Sequence, residues 1–167
     1  RLLPDGALDT SFHFLGGNTG VQSVAVLRDG KLMLGGAGLD SSFQVPFVYR
    51  SGYCRLNSDG SYDSSFPLLN LPNTNGMVRC VASDPDGRTI IGGAFTNAGG
   101  FLLNRMTRLD SAGVVDWQYN PNVTGTNAIV MTISQQVNGW NIIAGEFTSV
   151  TGSSCKHVAQ LSPGLPC

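Results

Sequence analysis

Asp86-Gly87-Arg88-Thr89-Ile90-Ile91-Gly92-Gly93-Ala94-Phe95-Thr96 decides the fold, because the same pattern occurs three times. Upstream stands Asp29-Gly30-Lys31-Leu32-Met33-Leu34-Gly35-Gly36-Ala37, and downstream Asn138-Gly139-Trp140-Asn141-Ile142-Ile143-Ala144-Gly145-Glu146-Phe147-Thr148. Each copy is a turn signal, a short apolar run and a pair of small residues. Asp-Gly and Asn-Gly favour the positive φ of a tight hairpin, so a two-residue turn and the second strand of a hairpin are expected in each. The closing Gly-Gly or Ala-Gly pair marks either a bulge or the close approach of another backbone.

Two further landmarks keep step with this element. Arg-Leu recurs at Arg1, Arg55 and Arg108, with a degenerate Gln160-Leu161, at steps of 54, 53 and 52 residues. Each Arg-Leu is followed by a turn and an aspartate: Asp9, Asp63 and Asp116. The spacing divides the single repeat domain, residues 1–167, into units 1–54, 55–107 and 108–160 with a tail 161–167. A repeat near 53 residues holds about four short strands, the size of a propeller blade. In the middle unit the expected strands are Tyr62 to Phe66, Val78 to Ser83, Thr89 to Phe95 and Arg105 to Leu109.

Composition agrees. Twenty-two glycines and eight prolines between short apolar runs are all-β composition, and no stretch has a helical period of useful length. Net charge is −1 with 13% charged residues, which gives no basic field for nucleic acid. No apolar run is long enough for a membrane span. The chain opens at Arg1 with no basic-then-apolar leader, the expected look of a processed chain or excised domain. Cys54, Cys80, Cys155 and Cys167 lack C-x-x-C spacing and accompany only two histidines, so no zinc site is expected. Their even number leans toward an oxidising, extracellular setting. A Cys155–Cys167 bridge would tie down the terminus and leave Cys54 with Cys80, for which a buried free thiol competes because Cys80 aligns with Ser23 and Thr132.

The middle unit, Arg55 to Thr107, is where a family resemblance lies. Arg55-Leu56-Asn57-Ser58-Asp59-Gly60-Ser61-Tyr62-Asp63-Ser64-Ser65-Phe66, then Asn75-Gly76-Met77-Val78, the opening stretch, and the close Asn104-Arg105…Arg108-Leu109 resemble the delta-60 repeat of large bacterial surface or secreted proteins. The resemblance implies propeller-type blades and a surface display or binding module, and it brings no catalytic residues. Closed propellers have four to eight blades and this chain offers three units. The alternatives are therefore a larger chain, a homo-oligomer that completes a ring, or a three-fold barrel of β-trefoil type.

Chemistry is sparse. Asp9, Asp63 and Asp116 are the only periodic carboxylates, and a residue needed by each unit's own fold recurs in each unit, whereas an active site is built once. They are expected to accept backbone N–H bonds at turns, and Arg1, Arg55 and Arg108 to fix neighbouring units. The oxygen-rich turn Asn57 to Asp63 fails the EF-hand register, and neither His13 nor His157 sits in a triad motif. No cofactor is expected. Departures from the repeat are more telling: the first unit carries four extra residues between Gly35 and Arg55, with Phe43, Phe47, Tyr49 and Tyr53. With Trp117 and Trp140 these aromatics are the candidates for binding a glycan or a protein surface.

The sequence thus predicts a non-enzymatic, extracellular or cell-surface binding and display module, such as part of an adhesin or fibre tip. A purely structural module that oligomerises through its repeat edges is the alternative, and a glycan-acting enzyme comes third.

Overall fold

A computed structural model describes residues 1–14, 20–36, 52–67, 71, 77–84 and 86–164. The described residues are all-β, with no helix among them. The strands are β1 (Val21–Val26), β2 (Leu32–Gly36), β3 (Tyr53–Leu56), β4 (Val78–Ser83), β5 (Thr89–Gly93), β6 (Asn97–Ala98), β7 (Phe101–Leu102), β8 (Met106–Leu109), β9 (Val115–Asp116), β10 (Ile129–Gln135), β11 (Asn141–Glu146), β12 (Ser149–Val150), β13 (Ser153–Ser154) and β14 (Val158–Leu161). They form three principal antiparallel sheets in the orders β1-β2-β3, β4-β5-β8-β9 and β10-β11-β14, and two small ribbons, β6-β7 and β12-β13. An isolated bridge from Leu56 to Tyr62 gives the first sheet the beginning of a fourth strand, and Leu2 bridges Leu8 in the same way.

The hairpins differ from the expected two-residue turn. In each, one amide closes a wider loop: Asp84 N–H donates to Arg88 C=O at 2.8 Å and Gly87 N–H to Asp84 C=O at 3.0 Å. Only the glycine takes positive φ, at 80° in Gly30, 79° in Gly87 and 82° in Gly139. This is a three-residue loop, a type I turn followed by a left-handed glycine. In two copies the residue before the glycine is chosen by hydrogen bonding instead, Asp29 Oδ1 accepting from Lys31 N–H and Asn138 Oδ1 from Trp140 N–H; in the middle copy Asp84 Oδ1 accepts the Arg88 amide. Ala112 stands where Asp59 does one repeat earlier, and there Asp110 takes over by accepting the Ala112 and Val114 amides.

The strand expected at Tyr62 to Phe66 also shifts its role. Tyr62 pairs with Leu56 at the outer edge of the sheet that begins at Val21, and Phe66 lies beyond a turn. Arg-Leu therefore sits on the third strand of a sheet, with Arg55 on β3 and Arg108 on β8.

The sheets pack face to face in chain order, and strands pair only within a sheet among the described residues. That is the arrangement of propeller blades rather than of a barrel closed by hydrogen bonds between units. Each sheet has a leading face, turned toward the preceding part of the chain, and a trailing face. Met33 and Tyr53 on the trailing face of the first sheet share one core with Val78, Val81 and Ile91 on the leading face of the second. Cys80, Ile90 and Met106 share another with Val130 and Ile143 of the third.

The small-residue pair serves both purposes that the sequence left open. Each first strand has a register shift near its start, between Val78 and Cys80 and between Val130 and Thr132. The bulge brings the carbonyl of Met77 against Gly93, where a Cβ would lie 2.1 Å from it. The other glycine faces the next sheet: a Cβ on Gly35 would meet Val78 Cγ1 at 2.8 Å, and one on Gly92 would meet Val130 Cγ1 at 2.9 Å. At the third copy Ala144 stands in the place of Gly35 and Gly92 and is half-buried.

Candidate functional site

The recurring arginines and aspartates make one device three times. Arg55 Nε donates to Asp63 Oδ2 at 2.8 Å within its own sheet, and Arg55 Nη1 reaches Ser111 C=O at 2.8 Å in a turn one repeat later. Arg1 does the same with Asp9 and Ser58 C=O, and Arg108 with Asp116 and Pro163 C=O. The other Asp63 oxygen accepts the Ser65 amide and hydroxyl, tying down the turn. Each guanidinium also lies over an aromatic ring: Arg55 over Phe66 at 4.0 Å, Arg108 over Tyr119 at 4.3 Å and Arg1 over Phe12 at 5.5 Å.

These partners hold the carboxylates ionised. The Ser11 hydroxyl, then Arg1 and the Ser11 amide, bring Asp9 down to about 2 from an ordinary 3.8. Burial opposes ionisation of Asp63, but Lys31, Ser65 and Arg55 together outweigh it and its pKa falls well below the usual range. At Asp116 burial is likewise outweighed by Arg108. A carboxylate whose folded pKa is depressed stabilises the fold above its unfolded pKa and loses that contribution as pH falls through the folded value. Stability is therefore expected to be flat above about pH 5 and to decline steeply below pH 4. Asp63→Asn should be less stable at pH 7 and show a shallower acid decline in denaturant titrations repeated across pH; an unchanged decline would remove Asp63 from the account.

The aromatic candidates separate. Phe43, Phe47 and Tyr49 lie outside the described residues. Tyr53 is fully buried on β3 and meets Phe66 edge to face at 6.3 Å. Alternation on β3 sends it to the trailing face, opposite Gly35, where the missing side chain leaves room. Trp140 is half-buried beside a hairpin turn.

Trp117 is 59% exposed. It borders an open cleft of about 360 Å³ with Arg88, Asp110, Val114, Asp116 and Gln118. In the other copies Thr10 and Ser64 occupy its place after the aspartate, so the ring belongs to this unit alone. Arg88 is held at the cleft by ion pairs with Asp84 and Asp86. Sequence reading missed Arg88, Asp110 and Gln118 as its neighbours, because which side chains flank a turn depends on how the hairpins stack.

Cys54 and Cys80 are free thiols, so the Cys54–Cys80 bridge is not formed. Cys54 faces the leading side of the first sheet with Leu34 and Leu56, whereas Cys80 faces the trailing side of the second, 3.6 Å from Val130 C=O. Burial pushes the two thiols up to about 11 and about 12. Cys155 is also free, and Cys167 lies outside the described residues. No group of three or more potential metal ligands occurs among the described residues, and Asp59, in the oxygen-rich turn, accepts the Ser61 amide and hydroxyl. No helix among them is long and apolar enough to cross a membrane.

Comparison with curated proteins finds no match. A family model described as a domain of unknown function (DUF5122) beta-propeller matches residues 27–66 and 85–116. Each matched stretch runs from a hairpin turn through the small-residue pair to, or just past, the aspartate that its arginine holds, and takes in β2-β3 and β5-β8-β9 but neither β1 nor β4. Sequence family and sheet architecture together support a β-propeller-type repeat family for this chain.

Proposed function

We propose that this chain is a non-enzymatic binding and display module of delta-60 repeat type, three tandem units that hold a glycan-binding cleft at Trp117, in a bacterial surface adhesin or fibre tip. Trp117 carries the reading: a large ring left in solvent costs stability, and this one stands in a cleft with carboxylate, amide and guanidinium groups around it. An aromatic face takes the apolar face of a sugar ring, and the polar neighbours take its hydroxyls. The periodic carboxylates favour binding over turnover, since each is engaged by its own arginine and kept below the range of a working general acid. Titrating the chain with a panel of neutral oligosaccharides while following tryptophan fluorescence tests this. Trp117→Ala should weaken binding by about 30-fold with the melting temperature unchanged. Binding indifferent to Trp117, or none across the panel, would end this reading.

A second reading, an assembly module, draws on a different observation. Val24 and Val26 are 58% and 66% exposed on the leading face of the first sheet, whereas the matching Val81 of the second sheet is buried.

A further inference from the structure

Arg88 belongs to two clefts. It borders the Trp117 cleft, and it also lines a smaller one of about 240 Å³ together with Asp84, Arg108, Asn138, Asn141 and Pro163. That volume is below the about 300 Å³ at which ligand pockets begin, so the smaller cleft suits part of a ligand rather than a whole one. The two meet at a shared wall: Arg108 lines the smaller, Asp116 lines the larger, and these side chains pair at 2.6 Å.

Asn141 sets the chemistry of the smaller cleft. It is 1% exposed, its Nδ2 donates to the Tyr119 hydroxyl at 3.2 Å, and its Oδ1 is buried with no hydrogen-bond partner among the described residues. An acceptor orphaned in this way opposes folding, which makes its place at a cleft informative. A hydroxyl satisfies it, and serves equally if the amide is turned to bond Tyr119 through its oxygen, because a hydroxyl both donates and accepts. The charges around it select a neutral partner. Arg88 donates through Nε to Asp84 and through Nη2 to Asp86, and Arg108 is held by Asp116, so each guanidinium is already matched by a carboxylate. Arg88 Nη1 takes part in neither of its bonds and is left to donate to a neutral oxygen.

This chemistry does not recur along the chain. Asn141 stands where the other hairpins have Thr89 and Leu32, and Asp84 where they have Gln136 and Leu27. Lys31, in the place of Arg88, reaches the clamp aspartate Asp63 at 2.8 Å instead of turning back to its own hairpin. A feature that each unit's fold requires is repeated in each unit; the Asn141 cleft, like Trp117, is built once.

We propose that the Asn141 cleft is a second sugar subsite, so that the ligand is an uncharged oligosaccharide with one ring stacked on Trp117 and the neighbouring ring presenting a hydroxyl to Asn141 and Arg88. This inference rests on the glycan-binding reading of Trp117 and adds to it the length and charge of the ligand.

The test titrates glucose, galactose, mannose and N-acetylglucosamine by calorimetry, each as the monosaccharide and as its β-1,4-linked disaccharide and trisaccharide. In the series that binds, the longer sugars should bind at least about tenfold more tightly than the monosaccharide. Asn141→Leu combined with Tyr119→Phe replaces both partners of the buried bond by apolar groups of similar shape and keeps the ring beneath Arg108, so this variant should melt no lower than the parent chain. It should bind the monosaccharide as before and the longer sugars no better. In the parent chain the side-chain amide resonance of Asn141 should shift with the disaccharide and stay in place with the monosaccharide, a readout that needs no substitution. Equal affinity for short and long sugars, still lost in Trp117→Ala, would overturn this inference and leave the Trp117 reading standing. So would a length preference that survives in the double variant. Binding of no member of the four series would overturn both.

Discussion

Arg55→Ala is expected to lower the stability of the chain by about 3 kcal/mol, the lower end for breaking a buried pair, because Lys31 Nζ stays 2.8 Å from Asp63 Oδ2. The side chains of Arg55 and Asp63 are 10% and 6% exposed, so solvent does little to replace the lost guanidinium. The substitution also removes the bond to Ser111 C=O and the contact with Phe66, which join the first sheet to the second. Arg1→Ala supplies the control, because Arg1 makes the same set of contacts with 49% of its side chain exposed. There the loss should stay near 1 kcal/mol or below. Urea denaturation of both variants at neutral pH reads the difference. Equal losses would mean that the contacts, and not their burial, set the cost.

Gly93→Ala should be comparably severe, at about 3 kcal/mol or more, the upper end for overpacking a well-filled site. The obstacle is backbone: the Met77 carbonyl oxygen lies 2.1 Å from where the Cβ would be, and the bulge in β4 fixes its position. Gly92→Ala should cost less, about 1–3 kcal/mol, because the groups it meets are the Cys80 sulfur and the Val130 and Ile133 side chains. Ala144→Gly should move stability by less than about 1 kcal/mol, since only the greater backbone freedom of glycine enters. If Gly93→Ala and Ala144→Gly have similar effects, the bulge is more compliant than the tight contact implies.

Much of this was legible in the sequence. Val78 to Ser83 is a strand with the expected ends, and the turn-strand-small-residue element identifies its hairpin partner. What escaped has physical causes. Asp-Gly fits both a two-residue turn and a type I turn closed by a left-handed glycine, and only the hydrogen bonds across the loop tell them apart. Val78 and Val81 are three residues apart, which suits neither face of a regular strand; the bulge turns both toward the first sheet. Tyr53 read as a binding aromatic because its loop is long, yet its place opposite Gly35 sends it inward. At the Trp117 cleft the ring was visible as a departure from the repeat. Its polar neighbours were not, because Arg88 comes from a hairpin turn well upstream of the ring and reaches the cleft only through sheet pairing.

The arginine that reaches a carbonyl one repeat ahead also bears on how such a chain can lengthen or shorten over generations. Each of the three arginines is a donor of its own copy, and Ser58, Ser111 and Pro163 offer the carbonyl that the arginine one repeat before them needs. Excising residues 56–108 would join Arg55 to Leu109, restore an Arg-Leu junction, and set Arg55 opposite Asp116 and Pro163 C=O. Duplicating the same segment would be equally neutral at its seams. Recombination between copies can therefore change length in whole steps of about 53 residues without inventing a new boundary, whereas a cut at any other interval strands an arginine without its carbonyl.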